Sequence, residues 1–188
     1  MEPSVLDRVQ AGDADAFGAL FDLHNERVFR QALRLTASVH DAEDITAMVF
    51  LEAWRRRDAM RVVDGSVVGW LLVTTNYVHR NFTRASRRYR QALANLPAPE
   101  HAPDHAPWVD DRLDSDSRRS AVRTAMAQLP RRDQDILTLC VLEDLTTAEA
   151  AEALGVAPGT VKSRLSRAKA RLSAALMNAS AASEGGDR

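Results

Sequence analysis

The stretch GVAPGTVKSRLSRAKARL, residues 155–172, decides how the C-terminal part of the chain folds. Gly155 and Pro158 indicate a tight turn, because glycine often ends one helix and proline often stands in the first turn of the next. Before the turn, the segment TAEAAEAL has a helical pattern that Thr146 or Thr147 can cap. Two helices joined by a short turn that contains glycine predict a helix-turn-helix.

The second of these helices has one apolar face and one basic face. At about 100° per residue, Val161, Leu165, Ala168 and Leu172 lie on the same side and are expected to be buried. The predicted outward residues are Thr160, Lys162, Ser163, Arg164, Ser166, Arg167 and Arg171. Long cations can reach guanine or phosphate in a major groove, and small hydroxyl residues can serve either base edge. A merely solvated basic face is the alternative, but the turn, the apolar face and the basic face together favour DNA reading.

The rest of the chain also has the pattern of an all-α protein. Apolar residues recur at spacings of three and four, and no segment alternates as a half-buried strand does. Asp13 is a plausible cap for a first helix, a second is predicted over about residues 41–57, and a third over about residues 68–90. The segment VVDGSVV between the last two indicates a turn or loop.

A change of composition then divides the chain. Residues 95–117 contain four prolines and six acidic residues, which is typical of an extended or disordered linker. We therefore predict two small helical domains, residues 10–92 and 118–177, joined by a flexible, acidic, proline-rich linker at 93–117. The tail at 178–188 is expected to be disordered. His101 and His105 in the linker lack further ligands, so no metal site is expected.

A second basic block lies at the end of the third predicted helix. In NYVHRNFTRASRRYR, residues 76–90, arginines are interleaved with aromatic residues, and no acidic residue occurs from 65 to 99. Cations that follow a backbone, together with rings that stack on bases, suit single-stranded or melted DNA. The alternative is that the aromatic side chains are core, which we expect for Trp70.

Several classes of function find no support in the residues. No catalytic triad, Cys/His pair, paired carboxylates or glycine-rich phosphate loop stands out, so neither an enzyme nor a cofactor is expected. Cys140, the only cysteine, excludes an intrachain disulfide and is expected to be a buried thiol. The apolar runs are too short to cross a bilayer, and we expect a soluble, cytoplasmic protein. The net charge of −1 conceals the basic blocks that decide the partners.

Four segments together resemble the extracytoplasmic-function (ECF) sigma factors, the two-domain class of bacterial sigma factors. They are GDADAFGALFDLHNERVFRQALRLT, DAEDITAMVFLEAW, GWLLVTTNYVHRNFTRASRR and LPRRDQDILTLCVLEDLTTAEAAEALGVAPGTVKSRLSRAKARL. The resemblance covers both predicted domains and leaves only the linker and the tail outside it. It implies a subunit that binds core RNA polymerase, reads a two-part promoter, helps to melt it and later dissociates.

The resemblance assigns three sets of residues. The polymerase-binding set, which would dock on the β′ coiled coil, is Asp41, Glu43, Asp44, Met48, Phe50, Leu51 and Trp54. The minus-ten set is Ser66, Asn76, Arg80, Arg84, Arg87 and Arg88, with the loop at 61–68 receiving an unstacked base. The minus-thirty-five readers are Lys162, Ser163, Ser166 and Arg167, within the outward set above. The chain departs from the family at Ala47 and Met48, where a Gln-Glu pair is common, so the docking surface would be more apolar or shifted.

Other partners and readings follow from the same resemblance. The β flap of polymerase is an expected second contact, and an anti-sigma factor is an expected regulator that an exposed Met48 would serve. The acidic linker would act as an RNA-like polyanion or as a simple spacer. The alternative function is a helix-turn-helix regulator whose N-terminal domain senses a ligand or dimerises. A protein-only adaptor is disfavoured by the two basic blocks.

Overall fold

The computed structural model describes residues 4–94 and 115–184, and within them every regular element is a helix. The α-helices are α1 Val5–Gln10, α2 Ala14–Thr36, α3 Val39–Arg55, α4 Val68–Ala94, α5 Ser115–Gln128, α6 Arg131–Leu137, α7 Thr147–Leu154 and α8 Pro158–Glu184. A 3-10 turn, Arg57–Ala59, follows α3, and a π-helical turn, Thr138–Leu142, extends α6. The predicted all-α class is confirmed.

Capping residues set several helix ends where the sequence predicts them. Asp13 caps α2, because its carboxylate accepts hydrogen bonds from the backbone N–H groups of Asp15 at 2.9 Å and Ala16 at 3.0 Å. Thr146 and Glu149 form a reciprocal capping box at the start of α7. Gly155 then ends α7 in the left-handed conformation, with φ of 65°, which a side chain would disfavour. The predicted helix-turn-helix is thus formed by α7 and α8.

Other boundaries differ from the sequence predictions. The chain begins with α1, whose Val9 is fully buried, so the N-terminal unit starts before residue 10. The second helix starts at Val39 because the hydroxyl of Ser38 caps it by accepting from the N–H of Asp41 at 3.2 Å. At the other end, α8 continues to Glu184 instead of stopping near 177. This extension is rich in alanine, the best helix former, so the expected disordered tail is helical as far as that residue.

The N-terminal core lies between α2, α3 and α4. Its largest fully buried side chains include Val28, Ile45, Val49 and Leu71. Trp70 packs partly buried against this cluster, as the sequence predicts. The C-terminal helices have a smaller core of their own, in which Ala168 of α8 meets Leu129 and Leu137.

The predicted buried face of α8 is confirmed by its surroundings. Val161 and Ala168 are fully buried, and Leu165 and Leu172 are half-buried against neighbouring helices. Because this stripe is held inward, the polar residues between its members must point away from the C-terminal core.

The two halves of the chain also share a core, which the sequence patterns did not predict. Val68 and Leu72 at the start of α4 pack with Ile136, Leu139 and Val161 of the C-terminal half. The approach is closest at Gly69, where an added Cβ would lie 3.0 Å from that of Ala153. The N-terminal end of α4 therefore lies directly against α6, the π-helical turn and α7.

Two glycines near the start of the chain give a paired test of this backbone. Gly18 lies within α2 with open space where a Cβ would be, whereas Gly12 has φ of 88° between α1 and α2. We expect Gly18→Ala to raise the free energy of unfolding by about 0.5–1 kcal/mol and Gly12→Ala to lower it by about 1–2 kcal/mol. Denaturant unfolding measures both. Equal effects of the two substitutions would contradict the assigned backbone.

Candidate nucleic-acid interface

The basic face of α8 is exposed as predicted. Lys162, Ser163, Ser166 and Arg167 are exposed, and Thr160 and Arg164 are half-buried. The Ser163 hydroxyl donates to the carbonyl of Thr160 at 3.1 Å, and Nε of Arg167 donates to the carbonyl of Ser163 at 3.2 Å. Within the described residues, no carboxylate forms an ion pair with Lys162, Arg164 or Arg167. Their charges are free to meet a polyanion.

Arg171 has a partner inside the C-terminal domain. Its guanidinium forms an ion pair and hydrogen bond with Asp133 of α6, whose side chain is only 7% exposed. A carboxylate this enclosed needs a cation or several donors. Arg171, predicted to contact DNA, therefore ties α8 to α6.

The C-terminal part of α4 is a second exposed basic surface. Arg84, Arg87 and Arg88 are exposed, and within the described residues none of them forms an ion pair. Tyr89 beside them is exposed, whereas Phe82 packs against the N-terminal core. Free cations with an exposed ring are suited to binding a nucleic-acid strand.

Asn76, by contrast, is enclosed between the two halves of the chain, with 2% of its surface exposed. Its Oδ1 accepts a hydrogen bond from Nε2 of Gln31 at 2.9 Å. Its Nδ2 donates to Oδ1 of Asp135 at 3.0 Å and to the hydroxyl of Thr138 at 3.1 Å. In this arrangement the amide has no free group to offer to a base.

Arg80 reaches the same carboxylate from the next turn of α4. Its Nη1 lies 3.4 Å from Oδ1 of Asp135 and 3.3 Å from Oε1 of Gln134, and its side chain is 16% exposed. Burial raises the pKa of Asp135, while the hydrogen bond from Asn76 and the charge of Arg80 oppose that rise. The cost of dehydrating this carboxylate is therefore not fully offset by its partners.

Ser66 has a local structural role. Its backbone exchanges two hydrogen bonds with Val63, each of 2.9 Å, and its hydroxyl accepts from the N–H of Val68 at 3.2 Å. Asp64 and Gly65 between them have positive φ, which gives the loop its tight shape. Ser66 thus fixes the start of α4, and the loop at 61–68 forms as a turn.

The predicted polymerase-binding set divides by exposure. Glu43, Asp44, Met48 and Leu51 are exposed on α3, while Asp41 and Trp54 are half-buried. Phe50 is 4% exposed and makes edge contacts with Phe17 and Phe21 at ring-centroid distances of 6.3 and 4.6 Å. The structure therefore places Phe50 in the core and not on the docking surface.

An ion-pair cluster between the two halves escaped the sequence analysis. Glu143, whose side chain is 9% exposed, lies 2.6 Å from Nη2 of Arg27 and 3.5 Å from Nη1 of Arg34. Glu143 and Arg27 are 116 positions apart, so no local pattern indicates their contact. The same holds for Asp135 and its partners on α4.

Other expected features have simple outcomes. Within the described ranges no group of histidine, cysteine and acidic residues is placed to hold a metal ion, and His101 and His105 lie outside those ranges. The same part of the chain contains no helix of the length and apolarity that a bilayer crossing requires. Cys140 is half-buried, and this burial raises the pKa of its thiol.

The structural role of Arg171 can be separated from DNA binding. Arg171→Ala leaves the enclosed Asp133 without its cation, and we expect the free energy of unfolding to fall by about 1–3 kcal/mol. The matched change Arg167→Ala, two turns or less away on the same helix, should leave stability within about 0.5 kcal/mol. Denaturant unfolding distinguishes them, and an unchanged midpoint for Arg171→Ala would contradict the assignment.

Comparisons with known proteins match both halves of the chain. The model of sigma-70 region 2 matches residues 20–89, and that of sigma-70 region 4 matches residues 119–172. The ECF RNA polymerase sigma factor SigM of Mycobacterium tuberculosis is 35% identical over 163 residues, covering 86% of this chain and 78% of SigM. SigE of Mycolicibacterium smegmatis is 33% identical over 154 residues, covering 79% of this chain but 57% of SigE. The chain thus spans less than two thirds of that longer relative.

Solved structures show the same fold at lower identity. CnrH, in complex with the cytosolic domain of CnrY, has a TM-score of 0.57 and 22% identity, and the match covers 93% of this chain and 96% of CnrH. RpoE, in complex with the anti-sigma factor NepR from Bartonella quintana, has a TM-score of 0.53 and 22% identity, with coverage of 92% and 98%.

Proposed function

The chain belongs to the ECF family of RNA polymerase sigma factors, and we propose that it binds core RNA polymerase and directs initiation at a two-part promoter. One observation carries the proposal: each of the two exposed basic surfaces lies within a matched sigma region. Region 2 includes the basic part of α4, and region 4 includes the basic face of α8. The factor itself performs no chemistry, because RNA synthesis belongs to polymerase.

The upstream half of the promoter would be read by α8. Lys162, Ser163, Ser166 and Arg167 share its exposed face, and a recognition helix presents such a face to the major groove. Thr160 and Arg164 flank it at the helix start. Arg171, held by Asp133, contributes to this surface chiefly by fixing the helix in place.

The minus-ten half would be read by α4 and the loop before it. Arg84, Arg87 and Arg88 are free to hold phosphates, which positions the strand without specifying its sequence. Ser66 shapes the loop that receives an unstacked base. Asn76 and Arg80 would contribute only after their contacts with Asp135 are released.

Polymerase would dock on the exposed side of α3. Glu43 and Asp44 supply negative charge, and Met48 and Leu51 supply an apolar contact for the β′ coiled coil. Ala47 is exposed where the family commonly has a polar residue, which supports a more apolar docking surface. Asp41 and Trp54 border this surface, and the β flap would receive the C-terminal domain.

The remaining parts of the proposal concern organisation and regulation. We infer two functional units, approximately residues 10–92 and 118–177, with the acidic segment between them serving as a polyanion within polymerase or as a spacer. The factor would act in the cytoplasm, where polymerase and DNA are present. RpoE and CnrH were solved in complexes with NepR and CnrY, which supports an anti-sigma partner that covers Met48 and its neighbours.

Run-off transcription with purified core polymerase tests the proposal directly. On a pool of genomic promoter fragments, core polymerase with this protein should give discrete transcripts that core polymerase alone does not give. Tight binding to operator DNA by the protein alone, with no gain in specific initiation, would instead identify a helix-turn-helix regulator.

Arg167 gives a residue-level test of upstream reading. Arg167→Ala should cost about 1–3 kcal/mol in binding to the preferred upstream element and relax preference at one base position. Lys169→Ala, on the same helix, serves as the control. Selection of binding sites by the holoenzyme measures the preference, and uniform weakening on all sequences would make Arg167 a phosphate contact.

Arg84 and Arg88 give the corresponding test for the minus-ten strand. The double change to alanine should reduce the slope of log affinity against log salt by about 0.7 for each lost phosphate contact on a single strand. Arg30→Ala on α2 is the control, because that arginine already pairs with Glu26. A changed base preference with an unaltered slope would contradict the positioning role.

A further inference from the structure

We propose that the shared core is an autoinhibitory contact, in which the C-terminal domain occupies the minus-ten reading residues of α4 until the domains separate. The inference rests on the proposed function for the role of α4. Its own evidence is the set of contacts between the two halves, which includes polar, apolar and charged contributions.

The polar contribution places a carboxylate where a nucleic acid is expected to bind. Asp135 accepts from Asn76 at 3.0 Å and lies 3.4 Å from Nη1 of Arg80. An amide and a guanidinium on one helix face are the groups that would otherwise meet a base edge and a phosphate. Asp135 is thus an acidic substitute for DNA, and both ligands cannot hold these donors together.

The apolar contribution makes the contact close and specific. Val68 and Leu72 of α4 pack with Ile136 and Leu139. Because Gly69 has no side chain, α7 approaches until the ideal Cβ position is 3.0 Å from the Cβ of Ala153. Apolar surfaces that fit this closely exclude water and hold two elements in one register.

The charged contribution lies beside these contacts. Glu143 is enclosed between Arg27 and Arg34 of α2, and neither arginine has been assigned to DNA or polymerase. Removing one member of an enclosed ion pair leaves the other without compensation. Glu143 therefore favours the closed arrangement without taking part in either binding surface.

The closed arrangement is incompatible with simultaneous reading of both promoter elements. Elements centred near minus ten and minus thirty-five are separated by roughly 25 base pairs, or about 85 Å of duplex at about 3.4 Å per pair. Two halves that share a core cannot reach so far. The chain at 95–114 could extend to at most ~70 Å, which, with the domains themselves, permits the separated state.

The contact also has features of one that can be released. Burial raises the pKa of Asp135 despite its two partners, so enclosing this carboxylate costs free energy. Oε1 of Gln31, which lies beside Asn76, is buried without a hydrogen-bond partner among the described residues. An incompletely satisfied polar centre weakens an interface that is otherwise closely packed.

A reversible disulfide can lock the closed state. In the full chain with Cys140→Ser, we would introduce Gly69→Cys and Ala153→Cys, whose Cβ atoms need to move apart by only ~0.5–1 Å for a disulfide. We expect the cross-link to form in the free protein under mild oxidation. Run-off transcription and binding to a single-stranded DNA 12-mer should fall at least tenfold in the oxidised protein and recover after reduction, so each molecule is its own control.

Loss of Glu143 should have the opposite effect. We expect Glu143→Ala to bind the single-stranded 12-mer about tenfold more tightly than the natural chain, because a larger fraction of molecules is open. Glu152→Ala, at an exposed position of α7, is the matched control and should leave that affinity unchanged.

The outcomes separate this inference from the proposed function. An oxidised protein that transcribes as well as the reduced one, a failure to cross-link, or equal affinities for Glu143→Ala and Glu152→Ala would overturn autoinhibition. Absence of run-off transcription with every variant, combined with the expected cross-link and affinity changes, would instead refute the sigma-factor function and leave the closed contact standing.

Discussion

The carboxylate of Asp135, enclosed against Asn76 and Arg80, is the interaction on which the rest of the structure depends. It joins α6 to α4 at the point where the two halves of the chain share a core. A buried carboxylate is tolerated only with donors around it, and α4 supplies them. The position of the C-terminal half is therefore linked to the state of two residues that the family resemblance assigns to DNA.

This arrangement reconciles two physical demands on α4. Donors that read DNA must be available when the promoter is bound, yet polar groups left in a partly apolar surface of the free protein need partners. Here the C-terminal half supplies those partners through Asp135 and Thr138. Arg84, Arg87 and Arg88, further along the helix, remain solvated and need none. The same helix thus carries one occupied and one free part of the proposed binding surface.

Sequence patterns predicted the features that depend on local physics. The cap at Asp13, the left-handed Gly155 and the two faces of α8 follow from side-chain chemistry and helical periodicity within a few residues. Family resemblance added the functional assignment. The exposed basic faces and the sigma region matches agree with it.

Features that depend on distant partners could not be predicted in this way. Phe50 belongs to the core because Phe17 and Phe21 lie opposite it, which no helical pattern in α3 specifies. Arg171 has the same sequence signature as Arg167, and only the position of Asp133 on another helix distinguishes them. The contact of Glu143 with Arg27 spans most of the chain. Each case requires the tertiary arrangement, in which a residue's role depends on what meets it.

Single-molecule energy transfer between the two halves tests the central claim most directly. With Cys140→Ser, dyes attached at Asp22→Cys on α2 and Met177→Cys on α8 report their separation from two exposed positions. The account predicts one high-transfer population for the free protein and a shift to low transfer when core polymerase and promoter DNA are bound. A free protein that already shows the low transfer of the bound complex would contradict it.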